Sequence, residues 1–402
     1  MGSHGRARVP RRREVCYRDP KVPGGFRSSE REAGRRLLLL GLTLLAGVAL
    51  SAALAEAMLR LIRPQAVGVS RLPLVYEPDP ILGYRYRPGA TGRLQRLFEI
   101  DRVVRINALG FHDVERDPAF AGPLVLAIGD SFTASLHVPP DSAWTRKLEA
   151  KLCLRLDPRF EVWNLGLDGT GSDVQLALLR AQLARRVPRA VVLAFYANDV
   201  ADVARGPIAR EIRAGYVLQP RDASQARAMR ELADRMERRR PARWLFEHVY
   251  LARLAVYLRA GDRNLFRANV VGPSHLGEAP PPLDAAAAHA RLRAIFRELT
   301  GLARADGFAL LVVAVPDRDQ PEATLEALRP HAAELGARLV DPLPALRDGL
   351  ERSGRAWQDL YWERDGHFTT LGNELFGKAV ADALAPALGD ADPPIRGSRP
   401  CP

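Results

Sequence analysis

Three cysteines, Cys16, Cys153 and Cys401, are all that the 402 residues contain. Their wide spacing gives neither a disulfide framework nor a metal-ligand motif. The eight histidines stand singly, with no His-x-x-x-His and no Cys/His cluster, so no metal is expected. A Gly-x-Ser-x-Gly elbow is missing, which argues against an α/β-hydrolase. No internal repeat is present. Basic residues are not interleaved with aromatics, and this argues against nucleic acid as a partner.

What is there is apolar and basic. Apolar residues make up 47% of the chain, enough for a sizeable core, and the formal charge is +12. Residues 1–36 hold eleven Lys/Arg against four Asp/Glu, so +7 of the +12 lies in a leader whose composition predicts disorder. The leader ends in Arg35-Arg36. Leu37 to Ala55 follows, nineteen residues without a charge. At about 1.5 Å per residue that length covers a hydrocarbon core about 30 Å thick. Positive charge before the segment and little after it predict a single-pass membrane anchor, with the N-terminus cytoplasmic and the main domain outside. Ala53-Leu54-Ala55 also fits a signal-peptidase site, so secretion after cleavage is the alternative.

The chain divides by pattern into the leader (1–36), the anchor (37–62), a strand-and-turn preamble (63–120), an α/β domain (121–390) and a tail (391–402). In the preamble, Asn107-Ala-Leu-Gly-Phe111 reads as a turn with Gly110 at a special backbone position. From Pro123 strands and helices alternate. Strands are predicted at 124–128, 160–163, 190–196, 308–315 and 338–340. Helices are predicted at 142–156, 173–186, 285–305 (Asp284 as N-cap), 322–335 and 370–388. Uncharged strands between helices mean a mainly parallel sheet covered on both faces. Residues 204–282 break the rhythm. They read as a charged helical insertion closed by Pro280-Pro-Pro282.

The apolar run Leu124–Ile128 ends abruptly in Gly129-Asp130-Ser131. A serine at the C-terminal end of a buried strand lies where open α/β sheets bind ligands, so Ser131 is the candidate nucleophile. A serine oxygen needs a base, and the base needs an acid to fix its tautomer. Asp365 and His367 stand two residues apart before the last helix, and on an extended segment both would point to one side. Acyl transfer also needs donors for an oxyanion. Gly166, Gly169 and Gly171 permit close backbone approach, the Gly169 amide being the candidate donor, and Asn198 offers a side-chain amide. Taken singly, each feature also fits a plainer role: a strand-to-helix turn, a helix cap, a surface histidine.

Together, Gly129-Asp130-Ser131, Asn164 with Gly169, Asn198-Asp199 and the Asp365/His367 pair resemble, in order, the blocks of the SGNH (GDSL-like) hydrolase superfamily. The resemblance spans about residues 120–390. It implies a flavodoxin-like three-layer α/β/α sandwich, with Ser131 as nucleophile, His367 as base and Asp365 as its partner. It also implies an oxyanion hole made by the amides of Ser131 and Gly169 and the side chain of Asn198. Members cleave or transfer acyl esters without a metal or organic cofactor. Two positions depart from the family pattern: Tyr196 stands where a glycine is usual, and Arg364 where many members carry the acid. Glu363 is the reserve acid. The reading is an esterase acting on an O-acyl ester. An O-acyltransferase serving a cell-surface glycan and a non-catalytic glycan-binding scaffold are its rivals.

Overall fold

The computed structural model describes residues 26–62, 75–96, 99–205 and 284–389, with parts of 211–259. The chain falls into two compact units, Met1–Ala57 and Met58–Pro402. Helix α1 runs Phe26–Ile62, so its first turns begin inside the stretch read as a disordered leader. Residues 3–25, the Pro280–Pro282 linker and the tail lie outside the described residues. Within α1, Glu32–Leu61 is long and apolar enough to cross a membrane, and none of its most apolar window is buried in protein. Its leucines stand open, Leu37 at 70% and Leu44 at 72%.

The preamble consists of two antiparallel hairpins. Strand β1 (Tyr76–Asp79) pairs with β2 (Gly83–Tyr86), and β3 (Thr91–Arg96) pairs with β4 (Ile100–Arg105). Asn107 then closes the expected turn. Its Oδ1 accepts the amides of Leu109 (3.1 Å) and Phe111 (2.9 Å), and Gly110 sits at φ +89°. That left-handed conformation is one a side chain rarely adopts.

The main sheet contains five parallel strands: β5 (Leu124–Gly129), β6 (Glu161–Asn164), β7 (Ala190–Phe195), β10 (Ala309–Ala314) and β11 (Leu339–Val340). Their spatial order is β11-β10-β7-β5-β6. Read from β6, this is the doubly wound 2-1-3-4-5 order, whose switch point lies between β5 and β7. Side chains alternate along each strand between two cores. Leu124, Leu126, Ile128, Val191, Leu193 and Phe195 enter one, which α4 (Ser172–Leu183), α8 (Ala285–Asp306) and the preamble cover. Val125, Ala127, Val192 and Ala194 enter the other, under α3 (Trp144–Arg155), α11 (Leu343–Ser353) and α12 (Thr370–Leu388). Fully burying each such aliphatic side chain contributes about 1.5–3 kcal/mol. The α/β sandwich expected from the strand pattern is therefore present.

Local departures have local causes. The helix expected over 322–335 is cut into α9 (Ala323–Leu328), a 3₁₀ turn (Arg329–His331) and α10 (Ala332–Leu335). Pro330 lacks the amide that would continue the ladder. The insertion, read as helical, opens on a small hairpin, β8 (Glu211–Arg213) with β9 (Tyr216–Leu218). Helices α6 (Arg240–His248) and α7 (Tyr250–Arg259) come later. Helix α11 was not expected. Cys153 is buried on α3. Cys16 and Cys401 lie outside the described residues.

One buried ion cluster ties the preamble to the sandwich. The Arg116 guanidinium meets Asp113 (2.8 Å) and Glu149 (2.8 Å) and donates to the Val162 carbonyl (2.7 Å). Glu149 also accepts the Val162 amide at 2.9 Å.

Candidate active site

Strand β5 delivers Ser131 to the switch point. The strand stops at Gly129, where an added Cβ would lie 2.2 Å from Thr133 Oγ1 and 2.8 Å from the Ala194 carbonyl, so no side chain fits. Asp130 caps the short helix α2 (Ser131–Ala134), accepting the Phe132 amide at 2.9 Å. Burial pushes the Asp130 carboxyl up to about 6, against the opposing pull of that amide and of nearby His367. Ser131 thus starts a helix whose first amides are unpaired within it.

The last loop meets it. His367 Nε2 lies 2.8 Å from Ser131 Oγ, and His367 Nδ1 lies 2.6 Å from Asp365 Oδ1. The Asp365 side chain is fully buried, while that of His367 is 23% exposed. These two side chains converge through a tight turn and not through an extended segment. Gly366, at φ +85°, donates to the Trp362 carbonyl (2.9 Å), and the Trp362 amide donates to His367 O (2.8 Å). Tyr361 and Phe368 pair across the base of the turn. Glu363 is exposed and takes no part in the pair, so Asp365 is the acid that meets the imidazole.

The Gly169 loop follows β6. Asn164 Oδ1 accepts the Gly166 amide at 3.0 Å. Gly166 packs so tightly on α2 that a Cβ would stand 2.1 Å from the Ala134 nitrogen. Gly169 itself has φ +65°. Beside it, the preamble grips Asp168. Tyr76 Oη donates to its carboxylate (2.7 and 2.9 Å), Tyr86 Oη donates to Oδ1 (2.6 Å), and Tyr84 Oη donates to its carbonyl. Burial and the Asp168 charge raise the Tyr86 phenol well above its ordinary value, which keeps it a donor. At the opposite loop, the preamble's Glu99 accepts the amides of Arg364 (2.9 Å) and Asp365 (3.0 Å). His112 Nδ1 lies 2.8 Å from the Ala134 carbonyl, and burial lowers its pKa to about 4, so the ring is neutral. None of these braces was legible in the sequence, because each joins residues too far apart to leave a local pattern.

After β7, Asn198 is exposed and its side chain reaches Asp130, next to the serine. Asp199, the first residue of helix α5 (Asp199–Arg205), turns inward, fully buried, accepting from Ser172 and Gln175. Tyr196 leans on Phe132 (ring centroids 4.6 Å apart) and donates to Asp317 (2.5 Å). The side chain at the usual glycine position is therefore tied back by its hydroxyl. Ser131, Asp365, His367, the Gly169 loop and Asn198 all stand about the C-terminal ends of β5, β6 and β7.

The GDSL-like lipase/acylhydrolase family model matches residues 127–375. No curated protein matches the chain in sequence. Among solved structures, a G-D-S-L lipolytic protein from Veillonella parvula is similar at 14% identity, covering 66% of this chain and 99% of its own, with a TM-score of 0.31. The esterase EstA from Pseudoalteromonas is 13% identical, over 66% and 99% of the two chains, with a TM-score of 0.35. The acetylxylan esterase Axe2 from Geobacillus stearothermophilus, solved as a catalytic mutant, is 15% identical over 68% and 97%, with a TM-score of 0.33.

Proposed function

Because the chain belongs to the GDSL-like lipase/acylhydrolase family, we propose that it is a membrane-anchored serine esterase that cleaves an O-acyl ester outside the cytoplasmic membrane. The observation that carries this reading is the relay Ser131 Oγ–His367 Nε2 (2.8 Å) and His367 Nδ1–Asp365 (2.6 Å). Ser131 attacks the ester carbonyl while His367 Nε2 takes its proton. Asp365 holds the Nδ1 proton and stabilises the imidazolium that forms. The amides of Ser131 and Gly169 and the Asn198 side chain receive the oxyanion. Collapse expels the alcohol, which leaves with the proton from His367, and the acyl group stays on Ser131. Water, deprotonated by His367, then attacks the acyl-enzyme. A second tetrahedral species breaks down to free acid and restores the serine.

The location rests on the apolar run of α1 preceded by Arg35 and Arg36. Fluorophosphonate labelling and p-nitrophenyl acetate hydrolysis by the full chain test the chemistry, and Ser131→Ala abolishes both. Unchanged labelling of that variant removes Ser131 from the mechanism. Mass spectrometry of the products, with and without an added glycan, tells hydrolysis from transfer to a sugar hydroxyl.

A further inference from the structure

His137 was one more lone histidine in the sequence, and the fold brings it to the base. It is 7% exposed. Its Nε2 lies 3.2 Å from Asp365 Oδ1, the same oxygen that His367 Nδ1 approaches at 2.6 Å. The His137 and His367 rings stack, with centroids 3.9 Å apart and planes 13° apart. We propose that His137 is a positioning residue for the catalytic base: it fixes the Asp365 carboxylate by a second hydrogen bond and fixes the plane of His367 by stacking. The inference rests on the Ser131–His367–Asp365 reading given above.

The backbone that delivers His137 is unusual. Ser135 ends α2 at φ +49°, the one non-glycine residue with positive φ among the described residues. Such a residue pays for its conformation, on the order of 1–3 kcal/mol, and persists only where surrounding contacts hold it. Here its hydroxyl donates to the Phe132 carbonyl (2.7 Å) with Asn373 Oδ1 also within reach (3.1 Å), and its carbonyl accepts the Val138 amide (3.2 Å). The reversal carries the chain from the nucleophile back to the acid within six residues of Ser131.

The chemistry assigns the proton. An ionised carboxylate only accepts, so at 3.2 Å the His137 Nε2 carries the hydrogen. Asp365 Oδ1 then takes two N–H donors. A fully buried carboxylate keeps its charge only where donors replace water. The second donor makes Asp365 a weaker proton acceptor from His367, so the imidazolium formed during attack keeps its proton on Nδ1. The stacked ring limits rotation of His367, which keeps Nε2 aimed at Ser131. The three side chains offer ligand atoms within 4.8 Å of one another. Two nearly parallel rings directed at one carboxylate oxygen suit a shared acceptor better than a common ion, because the nitrogen lone pair binding a metal lies in its ring plane.

The test compares His137→Phe, which keeps a stacked ring and loses the donor, with His137→Gln, whose side-chain amide restores a donor at similar reach. In the full chain, kcat for p-nitrophenyl acetate should fall roughly 10–100-fold in the Phe variant with KM unchanged, the usual scale for an outer partner that orients a working group. The Gln variant should recover to within a few-fold. The downfield proton resonance of His367 Nδ1–H should shift in the Phe variant and return in the Gln variant. Wild-type kcat with an unmoved resonance in His137→Phe overturns the proposal. If that variant does not fold, His137→Asn, too short to reach Asp365, takes its place beside Gln. Activity lost in EDTA and restored by zinc would make the cluster a metal site and also overturn it. A wild-type chain that neither hydrolyses ester nor takes up the probe refutes the esterase reading, while the resonance still reports on His137.

Discussion

Asp168→Ala separates bracing of the Gly169 loop from mere packing. Asp168 is the acceptor for Tyr76 at 2.7 Å and for Tyr86 at 2.6 Å. Both phenols belong to preamble residues with little exposure, 7% for Tyr76 and 1% for Tyr86. Hydrogen bonds to a charged group contribute about 1.5–3 kcal/mol each, so the two together hold the loop with about 3–6 kcal/mol. The next residue, Gly169, is the proposed oxyanion donor, and one such donor is worth about 2.7–4 kcal/mol, or about 10²–10³ in kcat. The grip therefore matches or exceeds the energy it has to protect.

Removing the carboxylate should lower kcat toward the loss expected for a missing donor while KM changes little, and should also lower the urea midpoint. A double-mutant cycle with Tyr86→Phe assigns the energy to the contact. The Tyr86→Phe penalty should be clear in wild type and nearly absent beside Asp168→Ala. If stability falls and kcat holds at the wild-type value, the tyrosines pack the preamble and do not position Gly169.

Three further substitutions probe what holds the site in place. Arg116→Met strands the carboxylate of Asp113, whose side chain is 1% exposed, leaves Glu149 with Arg146 as its remaining cation, and should cost about 3–5 kcal/mol in urea unfolding. Gly166→Ala drives a Cβ to 2.1 Å from the Ala134 nitrogen, a clash with backbone, so the variant should fail to give a cooperative thermal transition or melt far below wild type. Asp130→Asn keeps the cap and removes a buried charge. With the folded carboxyl at about 6 against an ordinary 3.8, the folded state holds a proton that the unfolded state has released between those values, so wild-type stability falls as pH rises from about 4 to about 6. The full loss is at most about 3 kcal/mol, so Asn should gain stability at pH 7.5 and gain none at pH 4. Equal effects at both pH values would refute the charge argument.

What the sequence made legible was local. A strand buried on both faces shows itself as an unbroken apolar run, and Leu124–Ile128 and Ala190–Phe195 are such runs. The Gly-Asp-Ser turn announced itself because small residues replaced large ones at once. Asp365, expected ahead of Glu363, lies against His367, although the turn at Gly366 and not an extended strand aims it. The sandwich followed from alternation of strand and helix. Pro330 stood in plain view within a helical pattern and cut it. Helix α11 escaped because Leu343-Pro-Ala-Leu346 opens on a proline, which is tolerated in a first turn but read alone looks like a loop. The braces were illegible for a different reason. Tyr86 and Asp168, or Glu99 and Asp365, are joined by folding alone, and neither partner carries a pattern that names the other.

Those braces change what counts as the working unit. The family match begins at residue 127, and the α/β rhythm at 123. The first core nonetheless runs without a break from Tyr84, Leu94 and Val104 into Leu126 and Val191. The preamble contributes the acceptor that fixes the Asp365 turn, the donors that fix Asp168, and His112 against the end of the nucleophile's helix. A parallel sheet places loops at one edge but does not stiffen them, since each loop is anchored only at its strand and helix ends. Here the stiffening comes from a segment outside the sheet, bonded to three of the loops that must hold their spacing to a fraction of an ångström. The change of pattern near residue 120 therefore marks where the sheet starts, while the structure that sets the site's geometry starts about forty residues earlier, at Tyr76.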